Sequence, residues 1–403
     1  MPYVIGDPRR GIDELIVRRA EVFREKQGIN LFTSHPVDRT DRRAKVIGGT
    51  TSEGEAFEAS YDKLLIATGA CGNLPAIEGI DLPGVVMLRN LADGRRIERL
   101  IATKNVRQVV ILGMGYIALE MCEALRALDI GVAMVKPGAR FLPWLQEEMA
   151  ARVAKEVADH GVAVHAGHRI ERIESAGGRL RVVCDRLTLE ADMVLAATGV
   201  TPNSSLAAAA GLELSVWKSI AVDRRLQTSD PDIYAAGDCA DAFHIVTGRK
   251  TWVPLALRAN RSGWAVADTV CGHPVELPGI VGTAVFRVFE LEVARTGLDI
   301  HEAEREGFAP VEKMIKTRSR AHGHPGSRTI FVNMVGDKNT GRLLGVQMVG
   351  REGVAHRINA PAVALHARMS AADFSQTDLS YAPPFGPTWD PCLTAANQLL
   401  KEL

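Results

Sequence analysis

The chain has 403 residues, 46% of them apolar and 24% charged, and its 48 Lys and Arg balance 48 Asp and Glu. That length exceeds one ordinary hydrophobic core and predicts two or three domains. Zero net charge excludes a global field for nucleic acid or an acidic membrane. No apolar run is long enough for a membrane span, and the first residues lack the apolar stretch of a signal peptide, which places the protein in the cytoplasm.

The opening "MPYVIGDPRR" reads as the middle of a longer element. Leu15, Ile16, Arg19 and Phe23 then predict a helix from Asp13 to Gly28, where glycine stops it. Short strands follow in "AKVIGG" and "YDKLLIATGA", the second with the continuous apolar run Leu64–Ile66 of a buried strand. A helix is expected over Ala92–Ala102.

The clearest unit is "VRQVVILGMGYIALEMCEALRALDIGVAMVKPGARFLP". It predicts a strand at Val109–Leu112, a tight turn at Gly113–Gly115, a helix from Tyr116 to Leu128 and a strand at Ile130–Val135, together a βαβ unit. Met149, Val153 and Val157 form one stripe of a helix from Gln146 to His160. A hairpin set leads back to a buried strand at Met193–Ala197. "TSDPDIYAAGDCAD" holds another buried strand, and a helix begins near Pro254 and ends before Gly272. From Val281 the chain reads as an α+β domain with antiparallel strands in "TAVFRVF", "VEKMIKTRS", "TIFVNMV" and "RLLGVQMVG", then helices at Val354–His366 and Pro391–Leu400.

Within "GMGYIALE", Gly113 allows a sharp turn, Gly115 lets a pyrophosphate approach without a Cβ in the way, and Ala118 lets helix and strand pack closely. The helix N-terminus offers free N–H groups and partial positive charge to phosphates. The carboxylate that bonds the NAD ribose is absent; Lys136 stands in its place with Arg140 four residues on, which favours NADPH over NADH. Asp238, at the end of the strand Ile233–Ala236 and after Gly237, suits a ribityl or ribose hydroxyl. "IATG" (Ala67, Thr68 and Gly69) and "AATG" (ending at Gly199) each close a buried strand with a small-residue turn.

The six cysteines, Cys71, Cys122, Cys184, Cys239, Cys271 and Cys392, include no C-x-x-C pair, so a dithiol centre and a disulfide framework are not expected. Cys392 opens the last helix, where a thiol pKa can fall, but "WDPC" reads more simply as packing. His322 and His324 lack a third ligand nearby and read as loop residues, so no metal site is predicted. A weaker idea assigns them, with Arg320, to an acidic substrate group, and Arg18 and Arg19 to the same end.

In this order, "YDKLLIATGA", "ILGMGYIALE" and "TSDPDIYAAGDCAD" resemble the pyridine nucleotide-disulfide oxidoreductases, flavoproteins that bind two dinucleotides. "YAPPFGPTWDPCLTAAN" narrows the resemblance to the single-cysteine branch of coenzyme A disulfide reductases, persulfide reductases and NADH oxidases. The resemblance implies an α/β fold with two Rossmann-like domains, the NAD(P) domain inserted in the FAD domain, and a C-terminal α+β dimerisation domain. It divides the chain into 1–102 and 201–280 for FAD, 103–200 for NAD(P), and 281–403 for dimerisation.

By the same resemblance, Asp238 would bond the flavin ribityl chain, Tyr116 would cover the ring, and Glu120 would lie near the nicotinamide. The helix starting at Pro254, Leu255 and Ala256 would aim its dipole at the flavin, and Tyr381 would reach the partner's active site in a homodimer. FAD and NAD(P)H are the implied cofactors, and a small disulfide such as coenzyme A disulfide, a persulfide or oxygen the acceptor. The branch's cysteine precedes a segment that "MPYVIGD" matches from Pro2 on, so its place would fall two residues ahead of Met1, with the first βαβ unit earlier still. Two expectations follow: a natural start upstream, or a degenerate, non-catalytic nucleotide-binding protein.

Overall fold

Val109, Val110, Ile111 and Leu112 are each fully buried, and a strand shielded on both faces organises the largest parallel sheet. The computed structural model describes residues 1–403. Gln108–Leu112 lies at the centre of five parallel strands, ordered Val85–Met87, Met193–Ala196, Gln108–Leu112, Gly131–Lys136 and Ala163–Ala166. Alternate side chains divide the burial. Val109 and Ile111 pack with the helices Leu91–Lys104, Tyr116–Ala127 and Glu147–Asp159, where Met149, Val153 and Val157 form the anticipated stripe. Val110 and Leu112 pack on the other face against a three-stranded antiparallel sheet, Ile170–Ala176, Arg179–Cys184 and Thr188–Ala191.

A second, smaller parallel pair joins Leu64–Ile66 to Ile233–Ala235. The two small-residue turns connect this pair to the large sheet. Beyond Gly69 and Gly199 the chain runs into Ala70–Gly72 and Val200–Pro202, which pair antiparallel. Thr68 Oγ1 donates to the Asn203 carbonyl at 2.5 Å, and Asn73 N donates to the Gly199 carbonyl at 2.9 Å. The C-terminal region is a five-stranded antiparallel sheet, ordered Ala284–Val288, Leu291–Gly297, Leu343–Gly350, Thr329–Asp337 and Pro310–Arg318. No helix is long and apolar enough to cross a membrane.

Two expectations are corrected. Residues Asp13–Gly28 do not form one helix; the region holds a 3₁₀ turn at Ile12–Leu15 and a π turn at Val22–Lys26. Only Ile12 is buried between Gly11 and His35, and an apolar stripe that meets no partner leaves a short helix without the packing that stabilises it. The strand Leu291–Gly297 was not anticipated. Its charged Glu292 and Arg295 interrupt the apolar pattern, yet both find partners, Glu292 at the amides of Val354 and Ala355 and Arg295 at Glu302.

His244 is 8% exposed, and burial pushes its imidazole down to about 4 from 6.5. Glu302 and Arg295 act on it with opposite sign. Between pH 6.5 and 4 the unfolded chain binds a proton that the folded chain refuses, so stability falls as pH falls through that window. A His244→Gln variant is expected to lose about 2–3 kcal/mol less than the wild type on acidification from pH 7 to 4, measured by urea unfolding at each pH. Parallel stability curves would contradict this.

Candidate functional site

The turn after Leu112 assigns separate duties to its small residues. Gly113 has φ 114°, and a Cβ there would collide with the Ala197 carbonyl, so the fold itself demands glycine. Ala118 is fully buried where the helix meets the sheet. Gly115 differs. Its backbone is extended (φ −86°, ψ −171°), a conformation any residue adopts, and a Cβ there would meet no atom within 4 Å. Nothing in the protein's own packing asks for glycine at 115. The helix Tyr116–Ala127 begins there without a side-chain cap, leaving its first-turn N–H groups free. Open space, free donors and the positive end of a helix dipole together suit a dinucleotide pyrophosphate.

At the end of the next strand, Lys136 Nζ donates to the Arg140 carbonyl at 2.9 Å, and partial burial lowers its pKa. The ammonium is therefore folded over its own loop rather than extended toward solvent, while the Arg140 side chain is exposed and unpaired. A 2′-phosphate would have to compete with one carbonyl for Lys136.

Tyr116 sits in an aromatic cluster. Its ring packs against Phe286 at 5.0 Å and edge-on to Trp144 at 5.8 Å. Sequence spacing gave no sign of this cluster, because Phe286 comes from the C-terminal sheet. Glu120 is half-buried and accepts from Tyr3 Oη at 3.2 Å; burial raises the Glu120 carboxyl pKa and pushes the Tyr3 hydroxyl up to about 12. Tyr3 joins the site across the fold, from the opening "MPYVIGD".

Asp238 follows Ile233–Ala235 at the turn Gly237–Cys239, as anticipated. Its Oδ2 accepts from Arg89 Nη2 at 2.7 Å, and Oδ1 has no protein partner. Arg89 also donates to the Ala70 carbonyl at 3.0 Å, so it ties the crossover to Asp238; no pattern in the sequence pointed to it. Trp252 Nε1 donates to the Asp238 carbonyl at 2.8 Å. The helix Ala256–Val270 packs on this turn through Gly237 N to Ser262 Oγ at 3.0 Å, and Arg258 donates to the Gly237 and Asp241 carbonyls. Leu255 caps that helix without a side-chain bond, and Pro254 precedes it, so its first N–H groups are free as well. A carboxylate with one free oxygen beside an uncapped helix start fits the hydroxyl-bearing chain and the electron-rich ring edge of a flavin.

Tyr381 is 50% exposed on the segment before Pro391–Leu399, with Phe385 and Trp389 also exposed. Arg357 pins the segment, donating to Asp390 Oδ2 at 2.9 Å and to the Phe385 carbonyl at 2.7 Å. The weaker idea for Arg320 fails here, and the packing reading of Cys392 holds. Arg320 is engaged by Glu352 (Nε to Oε1 2.9 Å), so its guanidinium is not free for a substrate acid. Cys392 is fully buried beside Asp390, which raises its thiol pKa instead of lowering it. Burial likewise pushes Cys122 up to about 12. His322 is exposed and His324 Nδ1 lies 3.0 Å from the Pro325 carbonyl.

The model of the pyridine nucleotide-disulphide oxidoreductases matches residues 4–263, and that of their dimerisation domain matches residues 283–391. The chain belongs to this family. By that membership it is an FAD-dependent NAD(P)H oxidoreductase. It is 37% identical to the CoA-dependent NAD(P)H sulfur oxidoreductase of Pyrococcus abyssi, over 99% of this chain and 88% of the relative. An NADH oxidase of Methanocaldococcus jannaschii is 33% identical over 100% of this chain and 90% of the relative. Among solved structures, a NAD-dependent persulfide reductase from A. fulgidus superposes with TM-score 0.96 at 33% identity, covering 100% of this chain and 75% of that one.

The contrast between the two glycines is directly testable. Gly115→Val should leave stability within about 0.5 kcal/mol of wild type while weakening coenzyme binding at least about tenfold, because a side chain would fill the pyrophosphate space. Gly113→Val should lower the thermal midpoint outright. Wild-type coenzyme affinity in Gly115→Val would refute the assignment.

Proposed function

We propose that the protein uses NAD(P)H, with NADPH favoured, to reduce a low-molecular-weight sulfur acceptor, a persulfide or a disulfide such as coenzyme A disulfide, and works as a cytoplasmic homodimer. The observation that carries the coenzyme half is the unfilled space over Gly115 beside free helix N–H groups. The likeness to sulfur and persulfide reductases, over 99% of this chain or more, supports the acceptor half.

FAD, when bound, supplies the two-electron link between nicotinamide and acceptor. The chain's own residues do the holding and orienting. Gly113, Gly115 and Ala118 shape the pyrophosphate seat, and Lys136 with Arg140 offsets a 2′-phosphate. Ala67, Thr68, Gly69 and Gly199 form the crossovers that bring the two dinucleotide sites together. Asp238 receives a ribityl hydroxyl, oriented by Arg89. The N-terminus of Ala256–Val270 favours negative charge on the ring edge. Tyr3 keeps its proton to about pH 12 and donates it to Glu120, fixing that carboxylate at the helix face beside the coenzyme seat. Tyr381 lies exposed on the segment Arg357 anchors, where a second copy can meet it.

Two measurements test this reading. NADPH oxidation by FAD-loaded protein should be several-fold faster with coenzyme A disulfide or polysulfide under argon than with oxygen alone. Turnover with oxygen only would replace the proposal with the oxidase activity named for the Methanocaldococcus relative. Lys136→Glu should raise the KM for NADPH at least about tenfold and spare NADH, since it removes a cation and adds a repelling carboxylate worth more than about 1.4 kcal/mol together. Equal effects on both coenzymes would remove Lys136 from phosphate recognition.

A further inference from the structure

Away from the site just described, a cleft of about 430 Å³ opens between the helix Glu147–Asp159 and the C-terminal sheet. Six cations line it, Arg152, Lys155, Lys316, Arg318, Arg328 and Arg351, against two carboxylates, Glu156 and Asp159. Those carboxylates are already taken: Glu156 by Arg351 at 2.8 Å and Asp159 by Lys155 at 2.6 Å. Arg152 reaches out to Glu148, and its Nε is buried with no hydrogen-bond partner. Lys316, Arg318 and Arg328 are exposed on the cleft, and Arg328 bonds Ser319 through its backbone amide only.

Register aims these charges at one another. Lys316 pairs with Phe331 and Arg318 with Thr329, so all four side chains share one face of the sheet. Arg152 lies 3.9 Å above the Phe331 ring, which fixes that face as the one turned toward the helix. Positive groups from two separate parts of the fold thus converge, on a protein whose formal net charge is zero. Arg351, Lys155 and Arg152 have carboxylate partners, Arg351 a second one in Glu290, so the uncompensated charge is that of Lys316, Arg318 and Arg328, whose mutual repulsion an anion between them would reverse. An adjoining hollow of about 600 Å³ shares Arg328 and Arg351 and extends the cleft along the sheet edge. The size falls within the range of small-ligand sites, and planar guanidinium forks match phosphate oxygens pairwise.

We propose that this cleft is a second anion site, separate from the coenzyme seat, that binds a diphosphate-bearing small molecule and clamps the helix Glu147–Asp159 to the C-terminal sheet. The recognised group is the diphosphate, free or as part of a nucleotide. The helix follows directly on the loop that carries Lys136 and Arg140, so an occupant couples this site to the coenzyme site through one element.

The test uses the FAD-loaded 403-residue protein, with inorganic pyrophosphate and ADP titrated separately by calorimetry near physiological salt. A Gly115→Val background keeps the coenzyme turn from contributing. Binding should persist in that background and weaken at least about tenfold in Arg318→Gln/Arg328→Gln, two exposed positions whose loss leaves the fold and the NADPH KM unchanged. Equal affinity for the two probes identifies the diphosphate alone as the ligand, and tighter ADP identifies a nucleotide. Either result supports the site. No binding to the wild type, binding lost in Gly115→Val, or undiminished binding in the double variant overturns it. A failed coenzyme reading would show differently, as NADPH binding retained in Gly115→Val.

Discussion

The close approach of Gly113 to the Ala197 carbonyl is the constraint on which the coenzyme site rests. Leu112 and Ala196 are neighbouring strand ends in one parallel sheet, joined by Ala197 N to the Leu112 carbonyl at 2.9 Å. Only a residue without a side chain lets the chain leave Leu112, pass that carbonyl and enter the helix at Tyr116. The turn so formed points the helix N-terminus outward, and Gly115 is left bare at its tip. Structural and functional demands for glycine therefore sit two residues apart, and the geometry tells them apart.

Charge organises the rest of the site. Asp238 is held by Arg89, which also holds the Ala70 carbonyl of the crossover strand, so that carboxylate and the connection between the two sheets share one guanidinium. Arg258, 7% exposed, spends its donors on the Gly237 and Asp241 carbonyls and locks the helix Ala256–Val270 over the same turn. That helix starts with no side-chain cap and no acidic residue in its first turn. On the coenzyme side, Tyr3 donates to the Glu120 carboxylate, whose pKa burial raises.

What the sequence made legible followed from local rules. The unbroken run Val109–Leu112, the glycine turn and the stripe Met149, Val153 and Val157 each encode burial within a few residues, and each appears in the structure as read. The family motifs extended that to the order of the sheets. Long-range pairings were not legible. Tyr3 meets Glu120 across 117 residues and Arg89 meets Asp238 across 149; neither leaves a periodic trace. Tyr116 illustrates the same limit, since its aromatic partner Phe286 lies on a different sheet. The residues Asp13–Gly28 show the converse, where a good local helix pattern lost to the lack of anything to pack against.

The account turns on the first turn of Tyr116–Ala127 receiving a coenzyme phosphate. Amide hydrogen exchange, resolved for Gly115 to Ala118 with and without NADPH, measures this directly. The account predicts that these amides slow markedly on coenzyme addition while those of the buried strand Val109–Leu112 stay as they were. Unchanged exchange at Gly115–Ala118 with coenzyme demonstrably bound would contradict it.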